Sequence, residues 1–287
     1  MIGGEALPLA GQMEDGAFSG LARMLRGARA VALTGAGMST DSGIPDYRGP
    51  ESSKRPRKPI QHADFIRSEA ARKRYWARAL IGWPRFIAAR PNQAHVALAA
   101  LEQAGVVAST ITQNVDRLHQ AAGSRSVVEL HGALAEVRCL GCGAIEPRQT
   151  LQSRLHRLNP QLGSAVATVA PDGDADLAPE LVEGMQISGC LECGGMLKPN
   201  VVFFGDNVAK PIVEDAFARV EAADVLMVLG SSLHVFSGYR FVKRAHERGI
   251  PVAIVNQGST RGDPLATLCV DAPLGKVLPA LAASLVG

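Results

Sequence analysis

The chain has 287 residues, enough for one large domain or a large domain with a small appendage. Hydrophobic residues make up 47% and charged residues 20%, the balance of an ordinary globular protein, and aromatics at 5% leave most of the core to aliphatic packing. The net charge of +3 selects no partner, and no stretch approaches the roughly 20 apolar residues that span a bilayer, so no membrane role is expected.

The N-terminus lacks the charged start and apolar run of a secretion signal and is acidic and free of Arg, which predicts a cytoplasmic protein. A helical pattern (Phe18, Leu21, Met24, Leu25) then leads into residues 28–37, a short apolar run that ends in glycines. Such a run predicts a buried strand followed by a tight turn. Between Lys54 and Arg90 stand eleven Lys and Arg against Asp64 and Glu69. They read as a solvated helical face, with a phosphate- or carboxylate-facing role for a few as the alternative. Pro91 and Asn92 open an apolar-periodic helix that runs to about Gln103, with Gly105 as its stop. Residues 106–114 and 126–132 read as strands, as do 223–230 and 251–257, the last two separated by a helix over 239–249. Residues 277–287 close the chain as a helix.

Alternation of strand and helix implies an α/β fold, a parallel sheet covered on both faces. The sheet is interrupted twice. Residues 18–48, 91–136 and 198–287 are assigned to the sheet domain, and 49–90 to a helical insertion with a cofactor-binding loop. Residues 137–197 form a smaller domain that holds the paired cysteines and an acidic loop at 170–180.

Cys139-x-x-Cys142 and Cys190-x-x-Cys193 are two knuckles, each able to place two thiolates on one metal. Four thiolates make a closed tetrahedral site, the geometry of structural rather than catalytic zinc. Glycines at 141, 143, 194 and 195 suit the turns that knuckles need. Unrelated buried thiols and redox pairs are the alternatives; two pairs, neither at a strand-to-helix turn, favour zinc. A zinc ribbon that binds DNA is a rival of another class, but Glu136, Glu146, Glu183 and Glu192 lie around the knuckles with few basic residues, so no nucleic-acid binding is expected.

At the end of the first strand, Gly35-x-Gly37 matches only part of the dinucleotide fingerprint, because Thr40 takes the third glycine position. The turn suits a pyrophosphate at a helix N-terminus, with an ordinary tight turn as the alternative. Gly43 and Pro45 then end any helix, and a loop with Asp46, Tyr47 and Arg48 can fold over a bound cofactor. Other polar groups stand at the C-terminal ends of strands, where ligands sit in open α/β sheets. They are Gln113, Asn114 and Asp116; His131; Gly230, Ser231 and Ser232; and Asn256, Gln257 and Gly258. A hydride-transferring dehydrogenase is disfavoured by the incomplete fingerprint and the lack of an acid about 20 residues on.

The stretches 35–49, 112–119, 129–132, 197–206, 230–238 and 255–258, with the paired cysteines, together resemble the sirtuins from about Val31 to Leu274. Three segments, around Trp83, at 197–206 and at 230–241, are similar to the class II branch, which includes mitochondrial members. The resemblance implies a Rossmann-like domain with a smaller zinc-binding domain, and an NAD-dependent lysine deacylase that carries structural zinc. NAD would lie with its pyrophosphate at Gly35, Ala36 and Gly37, with Ser39, Thr40, Ile44, Pro45, Asp46, Tyr47 and Arg48 around it. Its adenine ribose would sit near Gly230 to Ser232 and Asn256, with Gln257, Gly258 and Leu274 nearby. Asp116 and the Ile44 region would hold the nicotinamide amide, and Gln113 and Asn114 the nicotinamide ribose and a water. His131 would be the general base that deprotonates a ribose hydroxyl once nicotinamide has left, a role that suits an imidazole.

The same resemblance implies acylated protein or peptide substrates that add as a strand between the 201–205 segment and the loop at 234–237. Val201, Phe203, Phe204, Gly205 and Val235 would contact them, although the phenylalanines also read as plain core. Tyr75-x-x-Arg78 has the spacing by which desuccinylase-type sirtuins hold an acyl carboxylate, with a surface pair on a basic helix as the alternative. One departure is Arg117, where many sirtuins carry a small residue; it bears on the acyl or nicotinamide end of the site. A mono-ADP-ribosyltransferase using the same NAD site is the second functional reading, and a zinc-binding module without catalysis the third.

Overall fold

The computed structural model of the chain describes residues 15–47, 59–162 and 182–287. Arg48, the first part of the basic insertion and the acidic loop at 170–180 lie outside these residues.

Five apolar residues, Ala30–Thr34, form strand β1, buried along its whole length. It pairs in parallel with β2 (Val107–Thr112) on one side and β7 (Val225–Leu229) on the other. Strands β3 (Val127–Glu129), β8 (Val252–Val255) and β9 (Leu268–Val270) complete a six-stranded parallel sheet, in the order β3-β2-β1-β7-β8-β9 among the described residues. The chain winds one way from β1 to β3 and the other way from β7 to β9. That reversal lies between β1 and β7, and a crevice opens outside the carboxyl ends of strands at such a point.

Continuous apolar strands need cover on both faces. Helices α1 (Asp15–Leu25), α4 (Gln93–Gln103) and α9 (Leu274–Val286) pack one face through Leu21, Leu25, Leu98, Leu101 and Leu278, all fully buried. Helices α7 (Lys210–Glu221) and α8 (Phe236–Glu247) pack the other through Val220, Phe241 and Val242. Burial of each such side chain contributes roughly 2 kcal/mol, the main term holding the layers together. Asn92 caps α4 with a capping box, its side chain accepting from the Ala94 and His95 amides.

The second body is built on a three-stranded antiparallel sheet, β5-β4-β6, from Ile145–Pro147, Gly132–Cys139 and Leu197–Val201. This sheet begins and ends outside 137–197, because β4 and β6 stay paired from Cys139↔Leu197 back to Gly132↔Val201. Helices α2 (His62–Arg67), α3 (Glu69–Ala88) and α6 (Arg148–Leu158) close over it, around Phe65, Trp76, Leu80, Leu151 and Leu155. A short helix, α5 (Leu118–Ala121), lies between β2 and β3. Arg117, just before it, holds φ +61 and bridges the two sheets, meeting Glu129 of β3 at 3.0 Å and Glu136 of β4 at 2.6 Å.

Candidate active site

A cleft of about 710 Å³ runs along the carboxyl ends of the large sheet, under the small body. Its floor is the meeting of β1 with β7. Hydrogen bonds continue past the strand ends, with the Gly35 amide on the Leu229 carbonyl (3.1 Å) and the Gly37 amide on that of Gly230 (2.9 Å). A Cβ at Gly35 would lie 2.7 Å from Ser231 Cβ, and one at Gly230, which holds φ +60, would lie 2.7 Å from the Gly37 carbonyl carbon. These glycines let two backbones cross where side chains would collide. After them the chain makes two single 3-10 turns, Ala36–Met38 and Thr40–Ser42, and Gly43 at φ +81 ends the second. Among the amides from Gly35 to Ser39, only that of Ala36 is not spent on a backbone carbonyl. Asn92 ties the loop to α4, donating from Nδ2 to the Met38 carbonyl (2.9 Å) and Ser42 Oγ (3.0 Å).

Past β2, three polar side chains interlock with that turn. Asn114 Nδ2 donates to the Gly35 carbonyl (3.0 Å) and Ser39 Oγ (3.1 Å), and Ser39 Oγ donates to Asp116 Oδ2 (2.7 Å). Burial pushes the Asp116 carboxyl above its ordinary range, while the Leu118 amide and Ser39 hydroxyl pull it back. Gln113 Nε2 donates to Ser231 Oγ at 2.8 Å, which joins β2 to β7 across the floor.

His131 stands where the chain leaves the large sheet for the small one. The sharp exit needs Gly132, at φ +74, where a Cβ would sit 2.1 Å from the Asn200 carbonyl oxygen. The imidazole Nδ1 is 2.9 Å from the Gln113 carbonyl oxygen. A carbonyl only accepts, so Nδ1 carries the proton and Nε2 presents its lone pair, to which Ser237 Oγ donates at 2.8 Å. Burial lowers the His131 pKa; the Gln113 carbonyl opposes the shift and the charge of Arg240 adds to it. The ring is therefore neutral near pH 7, with a base aimed into the cleft.

Most residues picked from the sequence meet on this cleft: Gly35, Ala36, Gly37, Ser39, Ile44, Pro45, Asp46 and Tyr47 on one wall, and Gln113, Asn114, Asp116 and His131 at the centre. Gly230, Ser231, Ser232 and Val235 line it from the loop after β7, Asn256 and Gln257 from the loop after β8, and Tyr75, Val201, Phe203, Phe204 and Gly205 from α3 and the end of β6 onward. Phe203 belongs to both readings, since it is buried in the core of the small body and also lines the cleft. Thr40, Gly258, Leu274 and Arg78 do not line it. Thr40 turns its hydroxyl to the Gly37 carbonyl, the Gly258 amide donates to Asp271, and Leu274 is buried in the core beneath Gly230. Arg117 does not line it either; its guanidinium is held by Glu129 and Glu136. Phe86, Leu134, Asn207 and Arg240 line the cleft without having been singled out in the sequence. Phe86 and Arg240 sit on helices whose local pattern reads only as amphipathic. No short-range signal marks them.

The four paired cysteines converge beyond β4, their sulfurs all within 4.8 Å of one another. Cys139 and Cys193 Sγ are 3.5 Å apart and Cys142 and Cys190 Sγ 3.8 Å, near the about 3.8 Å edge of a tetrahedron with Zn–S bonds of about 2.3 Å. The Cys142 amide, then that of Gly141, lowers the Cys139 thiol to about 6 against the opposing effect of burial. Against the Ala144 amide, the neighbouring sulfurs of Cys193 and Cys139 push Cys142 up to about 12. It is the gathering of four sulfurs that suits a dication. Gly143 and Gly194 hold positive φ, at +78 and +72. Gly195 serves differently: its Cβ would crowd Cys139 and Cys193 Sγ at 3.1 Å.

The model of the Sir2 family matches residues 35–237. A protein of Xanthomonas axonopodis pv. citri (strain 306) described as an NAD-dependent protein deacetylase is 51% identical over 250 residues, which cover 87% of this chain and 85% of that one. The Homo sapiens mitochondrial protein described as the NAD-dependent protein lipoamidase sirtuin-4 is 49% identical over 254 residues, covering 88% and 81%. Among solved structures, one determined for the mechanism and regulation of Sir2 enzymes superposes with a TM-score of 0.73 at 30% identity, covering 95% of this chain and 98% of its own. A Sir2 enzyme bound to a propionylated peptide superposes with a TM-score of 0.72 at 29% identity, covering 93% and 97%.

Proposed function

The chain belongs to the Sir2 family, the sirtuins, and from that premise we propose that it moves the acyl group of a modified protein lysine onto the ADP-ribose of NAD, with release of nicotinamide. As an NAD-dependent protein deacylase it uses NAD as co-substrate and structural zinc at Cys139, Cys142, Cys190 and Cys193. Bound NAD supplies a ribose carbon from which nicotinamide can be displaced. Everything else is the work of side chains. Gly35 and Gly37 admit a dinucleotide backbone to the floor, Asn114 and Ser39 orient Asp116 at the nicotinamide end, and Ile44 and Phe86 keep water from the reacting carbon. Fixed by Gln113, His131 takes the proton from a ribose hydroxyl at Nε2.

The observation that carries this reading is the hydrogen bond from His131 Nδ1 to the Gln113 carbonyl. It fixes the tautomer and aims a neutral imidazole into the same cleft as the glycine turn. Class II membership is supported by the similarity to sirtuin-4 proteins and by the segments noted above. For the acyl group, Tyr75, Phe86 and Leu134 line the cleft whereas Arg78 does not, which favours longer acyl groups over acidic ones.

The test is a panel of acetyl-, lipoyl-, succinyl- and glutaryl-lysine peptides with NAD, read by nicotinamide release and by O-acyl-ADP-ribose. His131→Tyr is expected to lose turnover by about a thousandfold while keeping its fold, the scale on which positioned general bases act. Full turnover in that variant overturns the mechanism. Protein labelled from NAD alone, with no acyl transfer, would establish the ADP-ribosyltransferase instead.

A further inference from the structure

Helix α8 starts at Phe236, and its first turns line the cleft with Phe236 and with two polar residues, Ser237 and Arg240. They stand three apart and so share a helix face. Ser237 Oγ donates to His131, and its carbonyl accepts from Arg240 Nε at 3.1 Å. That bond fixes the guanidinium beside the catalytic imidazole and uses one of its five donors.

The remaining donors have no carboxylate. No acidic side chain pairs with Arg240 among the described residues, as is true of Arg148 and Arg261, but among the described arginines only Arg240 lines the cleft. Partial burial lowers its pKa, the mark of a cation short of solvation. The N-terminus of a 12-residue helix adds positive potential at the same place. A partly buried guanidinium that meets the Ser237 carbonyl and the Phe241 ring (5.7 Å) but no carboxylate gains from a ligand that brings its own negative charge. The dinucleotide phosphates are proposed at the Gly35 turn, to which no hydrogen bond joins Arg240 among the described residues. Arg240 instead belongs to the helix that follows 234–237, one of the two segments between which the peptide is proposed to lie.

We propose that Arg240 is a carboxylate subsite of the peptide cleft, which selects acyl-lysine peptides that carry an acidic side chain beside the modified lysine. The inference rests on the deacylase reading above. Arginine suits this task because its planar fork meets a carboxylate through two parallel bonds.

The experiment uses acetyl-lysine peptides that differ only in a flanking Glu, Gln or Lys, with kcat and KM measured for the wild type, Arg240→Gln, Arg240→Lys and Arg240→Glu. The wild type is expected to favour Glu over Gln by about tenfold, through KM, the scale of one charge-assisted hydrogen bond. Arg240→Gln erases that preference and Arg240→Lys keeps part of it. Arg240→Glu shifts it toward the Lys peptide, a gain that misfolding cannot imitate. A wild type active on all three peptides without discrimination overturns the subsite and leaves the deacylase intact. The subsite is equally overturned if Arg240→Gln affects only the KM for NAD, or only a succinyl-lysine peptide with neutral flanks, since the carboxylate would then be absent or belong to the acyl group. If the wild type turns over none of these peptides nor the acyl panel, the deacylase reading falls first and takes the subsite with it.

Discussion

His131 illustrates how little of a residue's chemistry resides in its identity. A free imidazole titrates near 6.5 and exchanges tautomers; this one is buried, holds its Nδ1 proton against the Gln113 carbonyl and has its pKa lowered. The sign of the consequence follows. A base whose pKa is lowered stays unprotonated to lower pH, so the acid limb of kcat/KM should fall below 6.5 rather than above it. Arg240→Gln removes one of the contributions that lower it and should move that limb to higher pH, the burial contribution remaining. A pH–rate profile on one acyl peptide checks both; a limb above 6.5 in the wild type would contradict the buried, neutral imidazole.

Among elements, the two knuckles and the capped helix do different work. A knuckle pair with closely gathered sulfurs needs its dication, because four thiolates without one repel each other. Cys190→Ser should lower bound zinc below one equivalent by metal analysis and lower Tm, since the binding energy of a closed site is folding energy. Unchanged zinc content would refute four-sulfur ligation. The cap of α4 reaches further than its helix. Asn92 satisfies two helix amides and also holds the Met38 carbonyl of the glycine turn. Asn92→Ala should cost about 1 kcal/mol in chemical denaturation and should also raise the KM for NAD, whereas a simple helix cap would show only the first effect.

At the scale of the molecule, the layers bury two histidines that do not line the cleft. His95 and His119 are 0% and 1% exposed, with ring centroids 4.9 Å apart. Burial lowers their pKa values to about 4 and about 3, and for His119 the nearby His95 adds to the effect. Both are neutral in the fold. In the unfolded chain each takes up a proton below about 6.5, so stability is complete above that pH and drains as pH falls toward the folded values. By pH 4 the loss should be on the order of 3 kcal/mol for each. Urea midpoints measured from pH 7 to 4 should fall accordingly, and His95→Gln should show a shallower fall; a parallel slope in that variant would mean the pair does not set it.

Much of this was legible in the sequence, wherever the cause was local. Strands β1, β2, β7 and β8 announced themselves as apolar runs, the α4 boundary as Pro91-Asn92, and the knuckles as Cys-x-x-Cys, because turn, cap and period act over a few residues. The polar sets at strand ends could be read as one edge once the sheet was taken as parallel. Where the smaller sheet begins was not legible, since the end of β4 pairs locally with Ile145–Pro147 but its start at Gly132 finds its partner only at Val201, far along the chain.

The order of residues determined the parallel sheet, the metal knuckles and the family, because these depend on neighbours along the chain. Tertiary structure alone decided which side chains share the cleft. It turned Arg117 toward Glu129 and Glu136, kept Thr40 and Arg78 off the wall, and brought Phe86 and Arg240 onto it. The reason is physical: a helix pattern tells which face is buried, but what that face meets is fixed by packing against segments a hundred residues away, and so is the field a charge experiences there.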